Sequence, residues 1–423
     1  MPGLILSAPA SGSGKTTLTL GVIRALTRAG IAVTSGKSGP DYIDPRFHEA
    51  ASGTHCVNLD AWAMTPARLR SLAATDDPLL IVEGAMGLFD GAPPDNKGST
   101  ADLAKTLGLP VIMVIDAGKM AGSIAPLAAG FARHDPDVHV AAILLNNVGS
   151  ARHETMLRRA LGPLGIPVLG AIPRMGQLAT PSRHLGLVQA MERTDLEQFL
   201  DTVAGIVEAH IDIAALAALA YGTLAASDTS RLRPPGQRIA VAHDTAFGFS
   251  YPHMMADWRH HGAEITVFSP LADDPVPGAD FVFLPGGYPE LHAGVLAQNE
   301  TFLNSLKNAA EGTDIYGECG GYMMLGETLI DAQGHCHKMA GLLPVQTSFA
   351  TRKLHLGYRT LTARHGPMAG TWRGHEFHYS TTQSAEGTPL FKASDAEGTA
   401  LPDMGLVAGR VSGSYAHIID RAD

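Results

Sequence analysis

The first half of the chain alternates short, uninterrupted apolar runs with longer segments of mixed character. "GLILSAP", "LLIVEGAMG", "PVIMVIDAG" and "VAAILLNNV" recur with stretches of helical spacing between them. Strands that lack a polar face and are separated by helices predict a mostly parallel sheet covered on both sides. An Ala/Leu-rich run, "DIAALAALAYGTLAA", then gives way to the polar "SDTSRLRPPGQ", which reads as a linker. The boundary is expected near residue 235, with one domain over 1–235 and a second over 236–423. "RIAVAHD", "EITVFSP", "FVFLPGG" and "DIYGECGG" form a second strand-and-turn series after it, and the part from about residue 338 mixes Gly, Thr and aromatics as strands do. The pattern predicts an α/β protein of two domains.

Composition narrows the partners. A length of 423 residues exceeds one ordinary core. Three cysteines, Cys56, Cys319 and Cys336, make neither a CxxC pair nor a disulfide framework, and so suit a reducing compartment. With 31 basic against 41 acidic residues the formal charge is −10, and no Lys/Arg cluster offers a footprint for nucleic acid. There is no basic leader and no 18-residue apolar stretch, so a cytoplasmic protein without a membrane partner is expected.

The first motif is "LILSAPASGSGKTTLTLGVIRAL", a strand, a loop of small residues and a helix. Gly12 and Gly14 let backbone amides turn toward phosphate oxygens, Lys15 neutralises them, and the Thr16 hydroxyl can ligate Mg²⁺. Ser11, Ser13, Thr17 and, from the next strand, Lys37 complete the expected ATP-binding set. One departure from the phosphate-loop pattern is Pro9, which stands where its first glycine belongs. "SGKSGPDYIDP" adds Asp41 and Asp44, and "IVEGAMGLFDG" adds Glu83 and Asp90. At the carboxyl ends of parallel strands these acids should face the phosphates, with Glu83 and one aspartate suited to Mg²⁺.

The second motif is "DIYGECGGYMML". Cys319 stands at a strand-to-helix corner among Gly317, Gly320 and Gly321, the pattern of a nucleophile elbow that projects its side chain outward. A helix N-terminus should also favour its thiolate. Gly286 and Gly287 in "FVFLPGGYPEL", with Gly320, present backbone amides for an oxyanion. The base is left open between His375 or His378 in "GHEFHYS" and His417 in "SGSYAHIID". Cys56 and Cys336 lack such a setting and read as structural.

In chain order, "SAPASGSGKTT", "KSGPDYIDP", "VEGAMGLFDG", "PGGYPEL", "YGECGGYMML", "GHEFHYS" and "GSYAHIID" resemble the cobyrinic acid a,c-diamide synthases, including the hydrogenobyrinic acid enzymes of cobalamin biosynthesis. The resemblance spans essentially the whole chain. It implies a P-loop, dethiobiotin-synthetase-like domain followed by a class I glutamine amidotransferase domain of flavodoxin-like fold. It also implies a ligase that amidates the a and c acetates of the ring through an acyl phosphate, with ATP, Mg²⁺, L-glutamine and a corrinoid as its small molecules. The assembly is left open, a homodimer among the possibilities. On this resemblance the partner of Cys319 is His417; Thr16, Asp44 and Glu83 hold metal; and Asp41, Tyr42, Asp90, His375 and Glu376 serve the synthetase substrate, the last two facing the corrinoid or the domain interface. Class I enzymes add a Glu two positions after the base, but Ile419 stands there, so no third triad member is evident. A nickel sirohydrochlorin a,c-diamide synthase shares both domains, cobyric acid synthase is a longer relative, and a ParA-like switch with an inert second domain is the non-enzyme alternative.

Overall fold

The computed structural model describes residues 2–74, 79–174, 189–222 and 229–422, with the backbone of 182–183 and 186–187. It divides into two compact units, Met1–Ser230 and Arg231–Asp423. The division falls inside the polar stretch 227–237, because Leu232 already donates its amide to the buried Asp257 carboxylate of the second unit at 2.9 Å.

In the first unit, strands and helices alternate: β1 (Gly3–Ser7), α1 (Lys15–Arg28), β2 (Val33–Ser38), α2 (Asp44–Ser52), β3 (Cys56–Leu59), α3 (Pro66–Ala73), β4 (Leu79–Glu83), α4 (Thr100–Leu107), β5 (Val111–Asp116), α5 (Ile124–His134), β6 (Val140–Val148), α6 (Ala151–Leu161) and β7 (Val168–Pro173). A two-residue pair, β8 (Ser182–Arg183) and β9 (Gly186–Leu187), precedes α7 (Leu196–His210) and α8 (Ile213–Ala218). Seven strands form one parallel sheet in the order β3-β2-β4-β1-β5-β6-β7. β1 and β4 are buried at every position, which is why their sequences carry no alternation. Gly21 lets α1 close on α7: a Cβ there would stand 2.6 Å from Val207 and 2.8 Å from Val203. The β2–β4 register sets Lys37 directly opposite Glu83 at the carboxyl edge of the sheet.

The second unit opens with β10 (Arg238–Ala242), α9 (Pro252–His260), β11 (Glu264–Phe268), β12 (Phe281–Leu284), α10 (Ala293–Leu296), α11 (Glu300–Ala309), β13 (Asp314–Glu318) and α12 (Gly320–Leu325). The Gly/Thr pattern predicts strands here only in outline; the structure forms β14 (Thr328–Ile330), β15 (Cys336–Lys338), β16 (Val345–Ser348), β17 (His355–Ala363), β18 (Gly370–His378), β19 (Thr381–Ala385), β20 (Phe391–Ser394), β21 (Ala400–Met404), β22 (Leu406–Ala408), β23 (Val411–Ser414) and β24 (His417–Arg421). A six-stranded sheet runs β11-β10-β12-β13-β23-β22, parallel except for its β22–β23 edge. An antiparallel sheet, β21-β20-β17-β18-β24, lies in the same unit, and only Tyr415 and Ala416 separate β23 from β24. β24 therefore carries the chain from one sheet into the other. Its register with β18 puts His417 opposite His375.

Candidate functional site

The loop after β1 turns on two left-handed glycines, Gly12 at φ 78° and Gly14 at φ 86°, a conformation that costs glycine nothing. Ser13 fixes the turn by donating to the Ala10 carbonyl at 2.8 Å, and Asn146 from the end of β6 donates to the Ser13 carbonyl at 2.9 Å. Gly14 caps α1 without a side chain, so the first amides of the helix stay available for an anion. Ser11 and Gly12 lie exposed at the tip, Lys15 is buried, and Thr16 and Thr17 are half-buried. Lys15 Nζ donates to the Met86 carbonyl at 2.5 Å, and burial lowers its pKa.

Behind Lys15 lies a dense charge cluster. Lys37 Nζ is 2.6 Å from Asp44 Oδ2 and 2.9 Å from Glu83 Oε1, and Thr16 Oγ1 donates to the same Glu83 oxygen at 2.6 Å. Asp44 Oδ2 also lies 3.4 Å from Thr16 Oγ1. Burial opposes charge on Lys37, yet Asp44, Glu83 and Asp41 together hold it well above its ordinary value. Burial, with Asp41 beside it, pushes Asp44 up to about 7. Burial pushes Glu83 the same way, but Lys37, His48 and Thr16 overcome it and keep the carboxylate ionised. A hydroxyl and two carboxylates meeting at one point is a hard-oxygen set that suits Mg²⁺. Among the described residues no three His, Cys, Asp or Glu side chains form a metal cage.

The other predicted residues of this unit do different work. Asp41 Oδ1 accepts the amides of Ile43 and Asp44 at 2.8 and 3.1 Å and so starts α2, while its Oδ2 lies 3.8 Å from Lys37. Tyr42 is half-buried beside it. Asp90 is exposed and accepts the Gly87 amide at 2.8 Å, closing the turn that carries Met86; its charge still raises the pKa of Lys15. His48 went unread. Its Nε2 is 2.7 Å from Glu83 Oε2 and its Nδ1 is 3.5 Å from the Cys56 sulfur, all three buried. Against the effect of burial, Cys56 and Glu83 raise its pKa to about 10. Its signal in the sequence was the spacing from Asp44, four positions on and hence the same face of one helix.

In the second unit Cys319 has φ 47° and ψ −102°, the strained corner that an elbow requires. α12 can lie down on the sheet because a Cβ at Gly321 would sit 1.9 Å from the Leu284 carbonyl oxygen, so glycine alone fits. Two expectations are corrected. Cys319 does not project outward but is 2% exposed, because it sits in the hydrophobic core of the second unit, with Pro289 packed on Gly320 beside it. Nor is its thiolate favoured: burial, then Glu290, raises the thiol, with Glu318 and Glu376 adding to the effect, and the six-residue α12 with the Gly320 amide offsets little of it.

The Gly286–Gly287 turn joins the elbow to His417. A Cβ on Gly320 would stand 3.0 Å from the Gly287 amide nitrogen, and a Cβ on Gly286 would stand 2.3 Å from His417 Cε1. The turn is pinned by Gly286, whose carbonyl accepts the Phe249 amide at 3.0 Å, and by Tyr288, whose amide donates to Ala246 at 3.0 Å. His417 is 1% exposed, and burial, with His375 and His378 nearby, lowers its pKa far below the ordinary value. A neutral imidazole is the form a base needs. His375 stacks on it with ring centroids 5.0 Å apart and planes 12° apart, and its Nε2 is 3.1 Å from the Tyr251 hydroxyl. His375 is thus packed on His417 within the second unit, the two facing each other in the β18–β24 register.

Glu376, its neighbour on β18, points to the other face, as strand alternation requires. Arg359 binds it at 2.6 Å and His378 lies 3.3 Å away. These side chains line a cavity of about 660 Å³ together with Lys353, Ser380 and Tyr415. His378 stacks on Tyr415 at 4.0 Å rather than on His417. Glu318, the last residue of β13, was not singled out from the sequence although it directly precedes the cysteine. It is 2% exposed, its Oε1 accepts the Ile418 amide at 3.0 Å, and its Oε2 lies 3.8 Å from His417 Nδ1. Burial pushes its pKa up to about 8 against the stabilising Ile418 amide and Tyr316.

Comparison with known proteins agrees with this two-part layout. Residues 4–188 match the CobQ/CobB/MinD/ParA nucleotide binding domain family, and residues 238–423 match the CobB/CobQ-like glutamine amidotransferase domain family. The chain is 52% identical to hydrogenobyrinate a,c-diamide synthase of Brucella anthropi over 99% of each chain. To the proteins of that name from Rhizobium meliloti and Rhodobacter capsulatus it is 51% and 50% identical, over 99% of this chain and 99% and 98% of theirs. Among the described residues no helix is long and apolar enough to cross a membrane. With such identity over full length, the chain belongs to the hydrogenobyrinate a,c-diamide synthase family.

Proposed function

We propose that this protein converts the a and c acetate carboxylates of hydrogenobyrinate to carboxamides, with glutamine as the ammonia source and ATP as the activating substrate. Two obstacles oppose the reaction. A carboxylate is a poor electrophile, and ammonium, the dominant form at neutral pH, is no nucleophile. One unit addresses each.

In the second unit, His417 takes the thiol proton as the Cys319 sulfur attacks the side-chain carbonyl carbon of glutamine. The amides of Gly287 and Gly320, which the close approach of these two glycines supports as a pair, stabilise the oxyanion, a contribution of about 3 kcal/mol per donor in comparable sites. The C–N bond then breaks, ammonia leaves with the proton held by His417, and water hydrolyses the thioester to glutamate. In the first unit, the opening amides of α1 and Lys15 hold the ATP phosphates, for which Lys15 exchanges the Met86 carbonyl for phosphate oxygens. A ring carboxylate oxygen attacks the terminal phosphorus, ADP leaves, and ammonia displaces phosphate from the resulting acyl phosphate. Thr16, Asp44 and Glu83 would hold Mg²⁺, which supplies charge neutralisation on the phosphates. Lys37 shares their oxygens and contributes a fixed positive charge.

The elbow at Cys319, with His417 packed against the turn that abuts it, is the observation that carries this reading. Purified protein with ATP and Mg²⁺ should amidate hydrogenobyrinate with either glutamine or ammonium, and Cys319→Ala should abolish only the glutamine-driven reaction. Offering cobyrinate and nickel sirohydrochlorin in parallel tests the ring. Undiminished glutamine-driven turnover by Cys319→Ala would defeat the proposal.

A further inference from the structure

We propose that Glu318 is the positioning residue for His417, taking the place of the acid that related amidotransferases carry two residues after the base. The assignment rests on the glutaminase reading above and deepens it. Position 419, where those enzymes carry the acid, is an isoleucine fully buried in the core and offers the ring no carboxylate. His375 covers a face of the imidazole, not its Nδ1 edge. Glu318 reaches that edge from the end of β13 in the other sheet, with Oε2 3.8 Å from Nδ1.

Two features make the carboxyl a fixed support rather than a passing neighbour. Its second oxygen is tied to the Ile418 amide, the residue next to His417, so carboxyl and base share one local frame. Glu318 is also adjacent in the chain to Cys319, whose own amide is held by the Ser414 carbonyl at 2.8 Å. Nucleophile, base and support are therefore set by β13, β23 and β24 together. A separation of 3.8 Å is an ion-pair distance rather than a hydrogen bond, and catalytic contacts of this kind commonly tighten once substrate is bound.

Its chemical role follows from the proton count. When the thiol proton moves to Nε2 of His417, Nδ1 keeps its own proton and the ring becomes a cation. A carboxylate at Nδ1 selects the tautomer that leaves Nε2 open and stabilises that cation. Glu318 is faced by Tyr316, Cys319 and His417; His375 and His378 face His417; Glu290 and Glu376 face Cys319. With burial setting the Glu318 carboxyl near 8, kcat/KM for glutamine hydrolysis should rise as pH passes through that region.

The test compares Glu318→Gln and Glu318→Asp with the parent in glutamine hydrolysis from about pH 6 to about pH 10, and in ammonium-driven amidation. Glu318→Gln should lower kcat by roughly 10²- to 10⁴-fold with little change in KM and should lose the rise near pH 8. Glu318→Asp should recover part of kcat and of the pH dependence, and ammonium-driven amidation should persist in both. Hydrolysis by Glu318→Gln within about threefold of the parent overturns the assignment. So does a parallel loss of both activities, or a loss that leaves the pH profile unaltered and that aspartate does not relieve. Absence of hydrolysis in the parent itself would instead defeat the glutaminase reading.

Discussion

Gly286→Ala is the sharpest probe of how the base is seated. The new methyl would lie 2.3 Å from His417 Cε1 and 3.2 Å from each ring nitrogen, so it would stand off the Cε1 edge, equally far from both nitrogens. Ordinary contact begins at 3.4 Å, so ring or turn must yield by about 1.1 Å. Neither side yields easily. The ring is stacked on His375, and the turn is pinned by Phe249 and Tyr288. A displacement of about 1 Å at a catalytic group costs on the order of 10²-fold in rate, or about 2.7 kcal/mol of barrier. Overpacking should add about 1–3 kcal/mol of lost stability in the second unit. The assay is glutamate release at saturating glutamine, set beside ammonium-driven amidation and thermal melting of the same preparation. The expected result is a kcat for hydrolysis about a hundredfold lower with ammonium-driven amidation retained. Hydrolysis within about threefold of the parent would show that the turn does not fix the base and would refute the reasoning.

Two further outcomes concern buried histidines. His48→Ala removes one charged partner from the buried Glu83 and should cost the first unit about 3 kcal/mol in denaturant titration while weakening nucleotide binding; unchanged values of both would remove His48 from the site. His375 is held neutral in the folded state, its pKa pushed down to about 3 by burial, whereas the unfolded chain takes up that proton near 6.5. The unfolded state thus binds more protons between those values, so stability is full above about pH 6.5 and declines as pH falls toward 3. His375→Asn should flatten the acid limb of the second unit's stability by about 1.4 kcal/mol per pH unit, and parallel curves for parent and variant would contradict this.

What could be read from the chain was local. The α/β class followed from uninterrupted apolar runs, and the phosphate loop from neighbours within a few positions of Lys15. Glu83 stood out as an acid closing an apolar strand. Contacts set by strand register were not accessible in that way. That Lys37 lies opposite Glu83 depends on β2 pairing with β4, and that His375 backs His417 depends on β18 pairing with β24. The outward-facing cysteine was expected because an elbow was considered without what packs around it; Pro289 and Glu290 are remote in sequence and lie close to it in space. Glu318 was overlooked for the same reason, since its meaning comes from a strand that lies a hundred positions later.

The two-residue step from β23 to β24 has a bearing on quality control. The imidazole of His417 belongs to the small antiparallel layer and the sulfur of Cys319 to the larger parallel one, so the glutamine cleavage proposed above demands that both layers be intact together. By that proposal, a chain in which either has frayed, through heat or a damaging substitution, should fall silent instead of turning into an unregulated glutaminase.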